Sequence, residues 1–467
     1  TGDPSRPTLV MVHGYPDNSS VWDGVVEILR DSFHVVRYDV RGTGQSSAPA
    51  NRAGYRLDRL AADLAAVVRA VGDGPVHILA HDWGSLQAWH AVTDPDYARL
   101  FSSFTSISGP CLDHVAAWMR ERFPRRPVLD QLVRSWYVAV FQIPVLPGLL
   151  WRLPWFRRKF SAQARDAVHG LELYRANIFC RHGHRQQRYA TLPVQQLVLT
   201  DDAYVRPAMV ASADPWCTRL WRRELHTRHW APRERPVAVA AMTAEFVDYI
   251  EGMPASRGLR RAAVGAEYGP FEDRLVLVTG AGRGVPRATA LAFGKVGADV
   301  LVVDPDPDAA AATVDELHRV GARGIAYRLD VTDDRAVPAL ADAVLAEHGT
   351  PDIVVVDAGF LLPGGLLDTS AEDWQRVFGV QTPGVLRIVR VFAQQLVARA
   401  EGGHLVIVGD PAVRSLVDRL RDGLARYRIG VTAVLPTGRY SPDKVAASTL
   451  RSVRRNTPAP RAPASGR

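Results

Sequence analysis

The first feature of this sequence that could do chemistry is an aspartate with a small residue two positions to either side. Asp82 is the centre of Ala80-His-Asp-Trp-Gly84 and ends the apolar run Pro75–Asp82. In a small-x-nucleophile-x-small pattern a strand turns sharply into a helix, so larger flanking side chains would clash and the central residue is left exposed. The N-terminus of the helix also lowers the cost of a bare carboxylate. The pattern predicts a nucleophilic Asp82, and the alternative is that Asp82 only caps the helix.

Two backbone amides are candidates for an oxyanion hole beside this aspartate. His13-Gly-Tyr-Pro-Asp17 follows the first apolar run of the chain, where the second amide of such a site is expected. The candidates are the amides of Tyr15 and of Trp83, which follows the nucleophile.

An acid and a histidine follow further along the chain. Asp202, or else the adjacent Asp201, comes after the apolar run Leu192–Thr200, and His229 comes after Trp221–Thr227. Nucleophile, acid and histidine in this order is the arrangement of hydrolases with a strand–turn–helix nucleophile. A lone histidine or aspartate is more often structural, but the order and context of all these residues together predict a catalytic triad.

The elements that must hold these residues alternate between strands and helices. Thr8–Gly14 and Phe33–Asp39 are further apolar runs, and Leu57–Val71 has apolar residues at helical spacing. Strands buried on both faces with helical crossovers indicate a parallel α/β sheet. From about residue 110 to about 190, Trp- and Arg-rich helical segments replace the strands and predict an inserted cap. This first domain is predicted to span residues 1–250.

A second α/β block follows a predicted linker at residues 251–270, which is rich in Gly, Ala, Pro and Arg. The block is predicted to span residues 271–455, with a disordered tail at 456–467. It opens with a strand, a turn containing Gly280 and Gly284, and a helix, as dinucleotide sites do. Asp304 ends the next strand, where an acidic residue binds the ribose hydroxyls of NAD.

The first domain resembles the α/β-hydrolases of the epoxide hydrolase and haloalkane dehalogenase group. The segments that carry the resemblance are HGYPD, YDVRGTGQSS, HDWGS, LTDDAYV and RHWAPRERP. In the cap, Ser135–Pro144 and Leu171–Phe179 resemble the segments with the ring-opening tyrosines of epoxide hydrolases, which implies Tyr137 and Tyr174. The alternative for both tyrosines is ordinary packing. A dehalogenase would favour Asn in place of Tyr15, and this activity is kept as an alternative.

The resemblance implies a reaction that needs no cofactor. Asp82 would attack a saturated epoxide carbon and form an ester, while Tyr137 and Tyr174 donate hydrogen bonds to the epoxide oxygen. His229, oriented by Asp202, would activate the water that hydrolyses the ester. The product is a vicinal diol. One departure from the family is Arg228, where a glycine usually precedes the histidine.

The second block resembles the short-chain dehydrogenase/reductase family across about Glu272–Arg455, and such fusions are known as a bacterial family. The resemblance implies NAD as a cofactor, bound by Gly280, Gly284, Asp304, Asp330, Val331, Ala358 and Gly359.

The catalytic residues of that family are not matched. Asp357 stands in the NNAG motif, Gln381 at the usual Asn, and Asp410 at the catalytic Ser, while Pro286 replaces the third glycine. The stretch that should carry the Tyr-x-x-x-Lys pair is missing after Asp410. A literal match at Tyr440–Lys444 follows the Pro-Thr-Gly turn that it should precede, so it indicates a coincidence. We therefore expect weak or absent NAD binding, strain at Pro286 and no dehydrogenase activity.

The charge and composition of the chain bear on which surfaces and substrates it could bind. The net charge of +8 comes from arginine, since the chain has only three lysines. Arginine clusters at Arg120–Arg126, Arg152–Arg165 and Arg451–Arg455 indicate either contact with an acidic surface or a solvated surface, and no nucleic-acid motif accompanies them. Three widely spaced cysteines fit a reducing cytosol, with peripheral membrane contact left open. The apolar Phe141–Trp151 favours a hydrophobic or lipid-derived epoxide substrate, although core packing would explain it equally well.

These patterns together predict an α/β chain: an α/β-hydrolase fold with a helical cap, followed by a truncated Rossmann-type doubly wound domain. The predicted function is epoxide hydrolysis by the first domain. The alternatives are an NAD-dependent short-chain oxidoreductase and a non-catalytic binding protein, which would keep the fold but form no covalent intermediate.

Overall fold

The computed structural model describes residues 1–72, 74–178, 187–331, 333, 335–358, 382–409, 413–435 and 441–456. The chain divides into two compact units, Thr1–Val264 and Gly265–Arg467. The boundary falls within the segment that composition marks as a linker. The middle of that segment is a helix, Arg257–Ala262, capped by the Ser256 hydroxyl. It belongs to the first unit because Leu259 and Ala262 are buried against Trp221 and Phe246.

The first unit is built on a sheet of six parallel strands in the order β2-β1-β3-β4-β5-β6. Apolar runs form the central strands, and every residue of β3 and β5 is buried because helices cover both faces. The strands are β1 (Thr8–Val12), β2 (His34–Tyr38), β3 (Val76–His81), β4 (Phe101–Ile107), β5 (Val194–Leu199) and β6 (Leu220–Leu225).

Helices connect these strands and form the cap. Those of the core are α1 (Asp23–Leu29), α2 (Leu57–Val71), α3 (Trp83–Val92), α10 (Pro207–Val210), α11 (Ala231–Glu234), α12 (Pro236–Ile250) and α13 (Arg257–Ala262). Those of the cap are α4 (Leu112–Arg122), α5 (Arg126–Arg134), α6 (Trp136–Phe141), α7 (Leu146–Arg152), α8 (Pro154–Phe160) and α9 (Ala164–Asn177). All cap helices lie between β4 and β5, so the cap is a single insertion at the carboxyl ends of the strands.

Helix α9 fastens the cap to the core. Buried Asp166 accepts hydrogen bonds from the Gly44 amide and the Asn18 side chain, both at 3.0 Å. At the other end of α9, the Asn177 side chain bonds the Leu57 amide at 2.9 Å and the Tyr55 carbonyl at 2.8 Å. These contacts fix the position of the cap over the sheet.

The second unit has its own parallel sheet, in the order β12-β11-β10-β7-β8-β9. Strands diverge to both sides of the β10–β7 pair, as in a doubly wound dinucleotide-binding fold. The strands are β7 (Leu275–Thr279), β8 (Asp299–Asp304), β9 (Gly324–Arg328), β10 (Ile353–Asp357), β11 (Gly403–Val408) and β12 (Ile429–Val434). The helices are α14 (Gly284–Gly294), α15 (Pro307–Arg319), α16 (Ala336–His348), α17 (Thr382–Arg399), α18 (Val413–Leu424) and α19 (Pro442–Asn456).

Several predictions concern residues outside the described ranges. Gly359, Gln381, Asp410 and Tyr440 lie there, as does the predicted tail beyond Asn456. Within the described ranges, none of the helices combines the length and the apolar character needed to cross a bilayer.

Candidate active site

Asp82 occupies a sharp turn between β3 and α3. Its backbone is left-handed, with φ 51°, which is strained for any residue with a side chain. Neighbouring backbone closes tightly around the turn: a Cβ on Gly84 would lie 2.3 Å from the Val12 carbonyl oxygen, and one on Gly109 would lie 2.2 Å from the Asp82 carbonyl oxygen. Gly84 of the sequence pattern, and also Gly109 after β4, are therefore needed for steric reasons.

The structure brings the predicted triad together. His229 Nδ1 lies 2.9 Å from Asp202 Oδ2, and His229 Nε2 lies 3.6 Å from Asp82 Oδ2. Asp202, which follows β5, is buried, and its Oδ1 accepts hydrogen bonds from the Tyr204 and Val205 amides at 2.7 and 3.1 Å. Asp201 is exposed, and its amide bonds the Thr227 carbonyl. Of the two aspartates, Asp202 is therefore the one that contacts His229.

The charges of the triad stabilise one another. Burial alone would lower the pKa of His229, but the Asp202 and Asp82 carboxylates raise it to about 10. Burial would raise the pKa of Asp82, yet His229 and the Tyr15 amide hold it below its usual value. The pKa of Asp202 is likewise lowered against burial by His229. At neutral pH the resting site therefore holds an imidazolium between two carboxylates.

Two residues that the sequence analysis did not single out hold His229 in place. The Ser108 hydroxyl donates to Asp202 Oδ2 and lies 3.1 Å from His229 Nδ1. Ser108 follows β4 with a left-handed φ of 49°, a conformation that the sequence gives no sign of. His81 Nε2 lies 2.8 Å from the His229 carbonyl oxygen, so it carries the proton of that hydrogen bond. Burial lowers the pKa of His81 to about 4, so its imidazole is neutral.

The predicted oxyanion loop, His13–Asp17, contacts Asp82 directly. The Tyr15 amide donates to Asp82 Oδ1 at 2.7 Å, and Trp83 follows Asp82 at the start of α3. Asp17 at the end of this loop has a buried carboxylate. It accepts a hydrogen bond from Trp230 Nε1 at 3.0 Å and pairs with Arg233. The oxyanion loop is thereby tied to the segment that follows His229.

Tyr137 and Tyr174 lie in one aromatic cluster beside the sharp turn at Asp82. Tyr174, on α9, packs edge-to-face on Trp83 at 4.8 Å between ring centroids, and Tyr137, on α6, lies 6.1 Å from Tyr174. Tyr204 joins Tyr137 at 5.4 Å and His229 at 4.8 Å. Burial, together with the Asp82 carboxylate, raises the pKa of both cap tyrosines, so their hydroxyls stay protonated and can donate.

The departure at Arg228 does not disturb this arrangement. The Arg228 side chain is 77% exposed and pairs with Glu234 at 2.9 Å. It points away from the buried His229. The glycine that the family favours is therefore not needed here.

In the second unit, two glycines of the glycine-rich turn have a left-handed backbone. Gly280 and Gly284 have φ angles of 66° and 61°, and buried Asp304 accepts the Gly282 amide at 2.8 Å. Of the other predicted contacts, Asp330 and Val331 follow β9 and Ala358 follows β10, at the same edge of the sheet.

Two observations change the expectations for this turn. Pro286 lies in the first turn of α14, where a backbone amide has no partner within the helix, so the expected strain does not arise. Asp357 carries a carboxylate close to the turn: a Cβ on Gly280 would lie 3.0 Å from Asp357 Oδ2. The turn therefore combines glycines in the left-handed region with a carboxylate beside Gly280.

Comparisons with known proteins match both units. The profile of the alpha/beta hydrolase fold matches residues 7–236, and that of the short chain dehydrogenases matches residues 274–410. The chain is 40% identical over 439 residues to the "Probable oxidoreductase EphD" of Mycobacterium tuberculosis, covering 88% of this chain and 74% of the relative. It is 25% identical over 281 residues to "Epoxide hydrolase 3" of Xenopus tropicalis, covering 53% and 73%.

Among solved structures, an epoxide hydrolase of Bacillus megaterium in complex with an inhibitor covers 53% of this chain and 95% of its own. Its sequence identity is 21% and its TM-score is 0.46. The two family profiles, over residues 7–236 and 274–410, confirm the folds predicted for the two units.

Proposed function

The chain belongs to a family of enzymes that join an epoxide hydrolase-like α/β-hydrolase to a short-chain dehydrogenase-like domain, and on this premise we propose that its first domain opens epoxides through an ester on Asp82. The observation that carries the proposal is the Asp82 carboxylate at the turn between β3 and α3. It lies 3.6 Å from His229, which contacts Asp202, and the cap tyrosines near it are protonated. A serine there would suit esters, whereas a carboxylate can displace an alkoxide from saturated carbon.

In the first step an Asp82 oxygen bonds to the epoxide carbon, the carbon–oxygen bond of the ring breaks, and the epoxide oxygen takes the electron pair. Tyr137 and Tyr174 donate hydrogen bonds to that oxygen, which offsets the poor leaving-group quality of an alkoxide. The low pKa of Asp82 keeps its carboxylate ionised and nucleophilic.

The second step needs His229 as a base, although the resting imidazole is protonated. Once Asp82 is an ester, its negative charge is gone, and one of the two carboxylates that raise the pKa of His229 no longer acts. Formation of the ester therefore favours transfer of the His229 proton to the alkoxide oxygen that ring opening leaves. The neutral imidazole then takes a proton from water, and the water oxygen bonds to the Asp82 carbonyl carbon. The ester bond to the substrate oxygen breaks, that oxygen takes the proton left on the Asp82 carboxyl group, and the diol leaves. The Tyr15 and Trp83 amides would stabilise the oxyanion that forms on Asp82.

The substrate is proposed to be hydrophobic and lipid-derived. Around Tyr15, the rings of Phe141, Trp151 and Tyr174 lie within 5.9 Å of centroid distance, so the surroundings of the elbow are aromatic. Aromatic side chains bind apolar molecules by removing their surface from water.

For the second domain we propose little or no dinucleotide binding and no dehydrogenase activity. The name of the 40% identical relative and the glycine-rich turn favour a second candidate function, NAD-dependent oxidation. If NAD were bound, Gly280 and Gly284 would approach its pyrophosphate, Asp304 would hold the ribose, and the nicotinamide would accept or donate a hydride. Against this, the Asp357 carboxylate lies at the turn.

The ester is tested by separating the two steps. His229→Gln should still let Asp82 attack but should not free it, because hydrolysis needs the base. Intact-protein mass spectrometry with assorted hydrophobic epoxides should show an adduct of the substrate's mass that maps to the Asp82 peptide. Asp82→Asn in the same background is the control and should show none. A label on Ser85, or no label on any residue, would remove the proposal.

The cap tyrosines are tested by removing only their hydroxyls. Tyr137→Phe and Tyr174→Phe should each slow ring opening by about 10- to 10⁴-fold, up to the range of general acid catalysis. Pre-steady-state kinetics of adduct formation gives this rate. Tyr189→Phe, at an exposed tyrosine, is the matched control and should react as the wild type does. Turnover of haloalkanes without turnover of epoxides would instead establish the dehalogenase alternative.

The second domain is tested by calorimetric titration of the full chain with NAD and NADP. We expect no binding tighter than about millimolar, the weak end of specific affinities. Asp357→Asn should strengthen binding by removing the charge beside Gly280 of the turn, whereas Asp315→Asn at an exposed position of α15 should not. Tight binding by the wild type, with steady NADH production from a secondary alcohol that Tyr440→Phe abolishes, would contradict this account.

A further inference from the structure

The outer side of the cap is unusually apolar for a surface. Among the residues that the structure describes, eleven of the twenty large hydrophobic side chains that are exposed come from the single stretch Phe123–Trp155. Scattered exposed hydrophobic residues are normal, but a concentration of them marks a surface that contacts something else.

Helical spacing shows that these residues share faces. On α5, Leu129, Leu132 and Val133 are exposed at spacings of three and four, and Trp136 continues the stripe at the start of α6. On α7, Leu146 and Leu149 are exposed, and Leu153 follows on the same side. The opposite sides face inward: Val128 and Gln131 of α5 are buried, as are Pro147 and Trp151 of α7.

The positive charge of the chain is concentrated in the same place. Residues 120–165 contain ten arginines and lysines but only two acids, Glu121 and Asp130. Their net charge of +8 equals that of the whole chain, so the remaining residues are neutral in sum. Asp130 already has cationic neighbours, with Arg206 at 3.0 Å and Arg134 at 3.6 Å. The apolar stripes are therefore flanked by uncompensated cations, of which Arg125, Arg126, Arg152, Arg158 and Lys159 are exposed.

Local causes do not account for this combination. Cations in the last turn of a helix are favoured by the helix dipole, which explains Arg157, Arg158 and Lys159 on α8. That effect does not explain Arg125 and Arg126 at the start of α5, nor does it explain exposed leucine and tryptophan. Trp, Leu and Phe beside Arg and Lys are the composition of helices that lie in the interface of an anionic membrane.

We infer that the outer face of the cap, formed by α5 to α8, docks on an anionic lipid bilayer. The exposed side chains of the stripes enter the boundary between headgroups and acyl chains, and the surrounding cations bind lipid phosphates. The docking face lies on the helices whose inner side carries Tyr137, so the site would receive apolar molecules from the bilayer. The docking itself does not depend on the proposed chemistry.

The test is co-sedimentation of the full chain with vesicles. The probe is phosphatidylcholine with phosphatidylglycerol in about a two-to-one ratio, compared with phosphatidylcholine alone. The wild type should bind the anionic vesicles at least about tenfold more tightly, and high salt should weaken that binding because it screens exposed charges. No binding to the anionic vesicles would overturn the inference.

Variants separate the two contributions. Leu132→Ser, Leu149→Ser and Trp155→Ser together should weaken binding to the anionic vesicles at least about tenfold. Arg152→Gln, Arg158→Gln and Lys159→Gln together should remove most of the preference for phosphatidylglycerol. The matched control is Val237→Ser, Val320→Ser and Leu345→Ser, at comparably exposed apolar positions elsewhere, and it should bind as the wild type does.

The same variants distinguish a bilayer from a second copy of the chain. All the substituted side chains are exposed, so circular dichroism and the melting temperature should not change. Equal loss in the control triple would show nonspecific adhesion and contradict the inference. So would a wild-type dimer that the cap triple converts to a monomer while vesicles bind neither protein, because a second copy would then cover this face.

Discussion

The structure of the first domain depends on a buried imidazole held between two carboxylates. His229 lies 2.9 Å from Asp202 and 3.6 Å from Asp82, and no single charge of the three would be stable at this depth without the others. Each partner comes from a different part of the chain: the elbow after β3, the loop after β5 and the loop after β6. Ser108 after β4 adds a fourth, so the carboxyl ends of four neighbouring strands meet at one group.

This arrangement also ties the cap and the oxyanion loop to the histidine. Arg233, four residues after His229, pairs with Asp17 of the oxyanion loop and donates to the Phe160 carbonyl of the cap at 3.3 Å. Tyr204 packs on both His229 and the cap residue Tyr137. Movement of the cap would therefore change the contacts around His229. In the second domain the buried Asp352 carboxylate lies 3.4 Å from Arg274 and 3.2 Å from Arg399, whereas Asp304 accepts the Gly282 and Asp306 amides.

Patterns of residue type and order predicted both folds, the cap and the members of the triad, because steric and chain-order constraints leave few alternatives at an elbow. They left Asp201 as an alternative to Asp202, because the direction of the loop after β5 decides which of the two side chains contacts His229. Ser108 was missed since its role comes from a left-handed backbone, which local sequence does not specify for a serine. The helix Arg257–Ala262 was not predicted because its composition is typical of linkers. Leu259 and Ala262 are buried by residues distant in the sequence, which local patterns do not show. The strain expected at Pro286 was wrong because the helix begins two residues earlier, at Gly284.

The central claim is that the oxygen delivered to substrate comes from Asp82 rather than directly from water. A single turnover with enzyme in excess, carried out in ¹⁸O-labelled water, tests it most directly. The account predicts that the first diol formed carries unlabelled oxygen and that the label appears in the carboxylate of Asp82, found by mass spectrometry of its peptide. A first-turnover diol that carries ¹⁸O, with an unlabelled Asp82, would mean that water attacks the epoxide itself and would contradict the account.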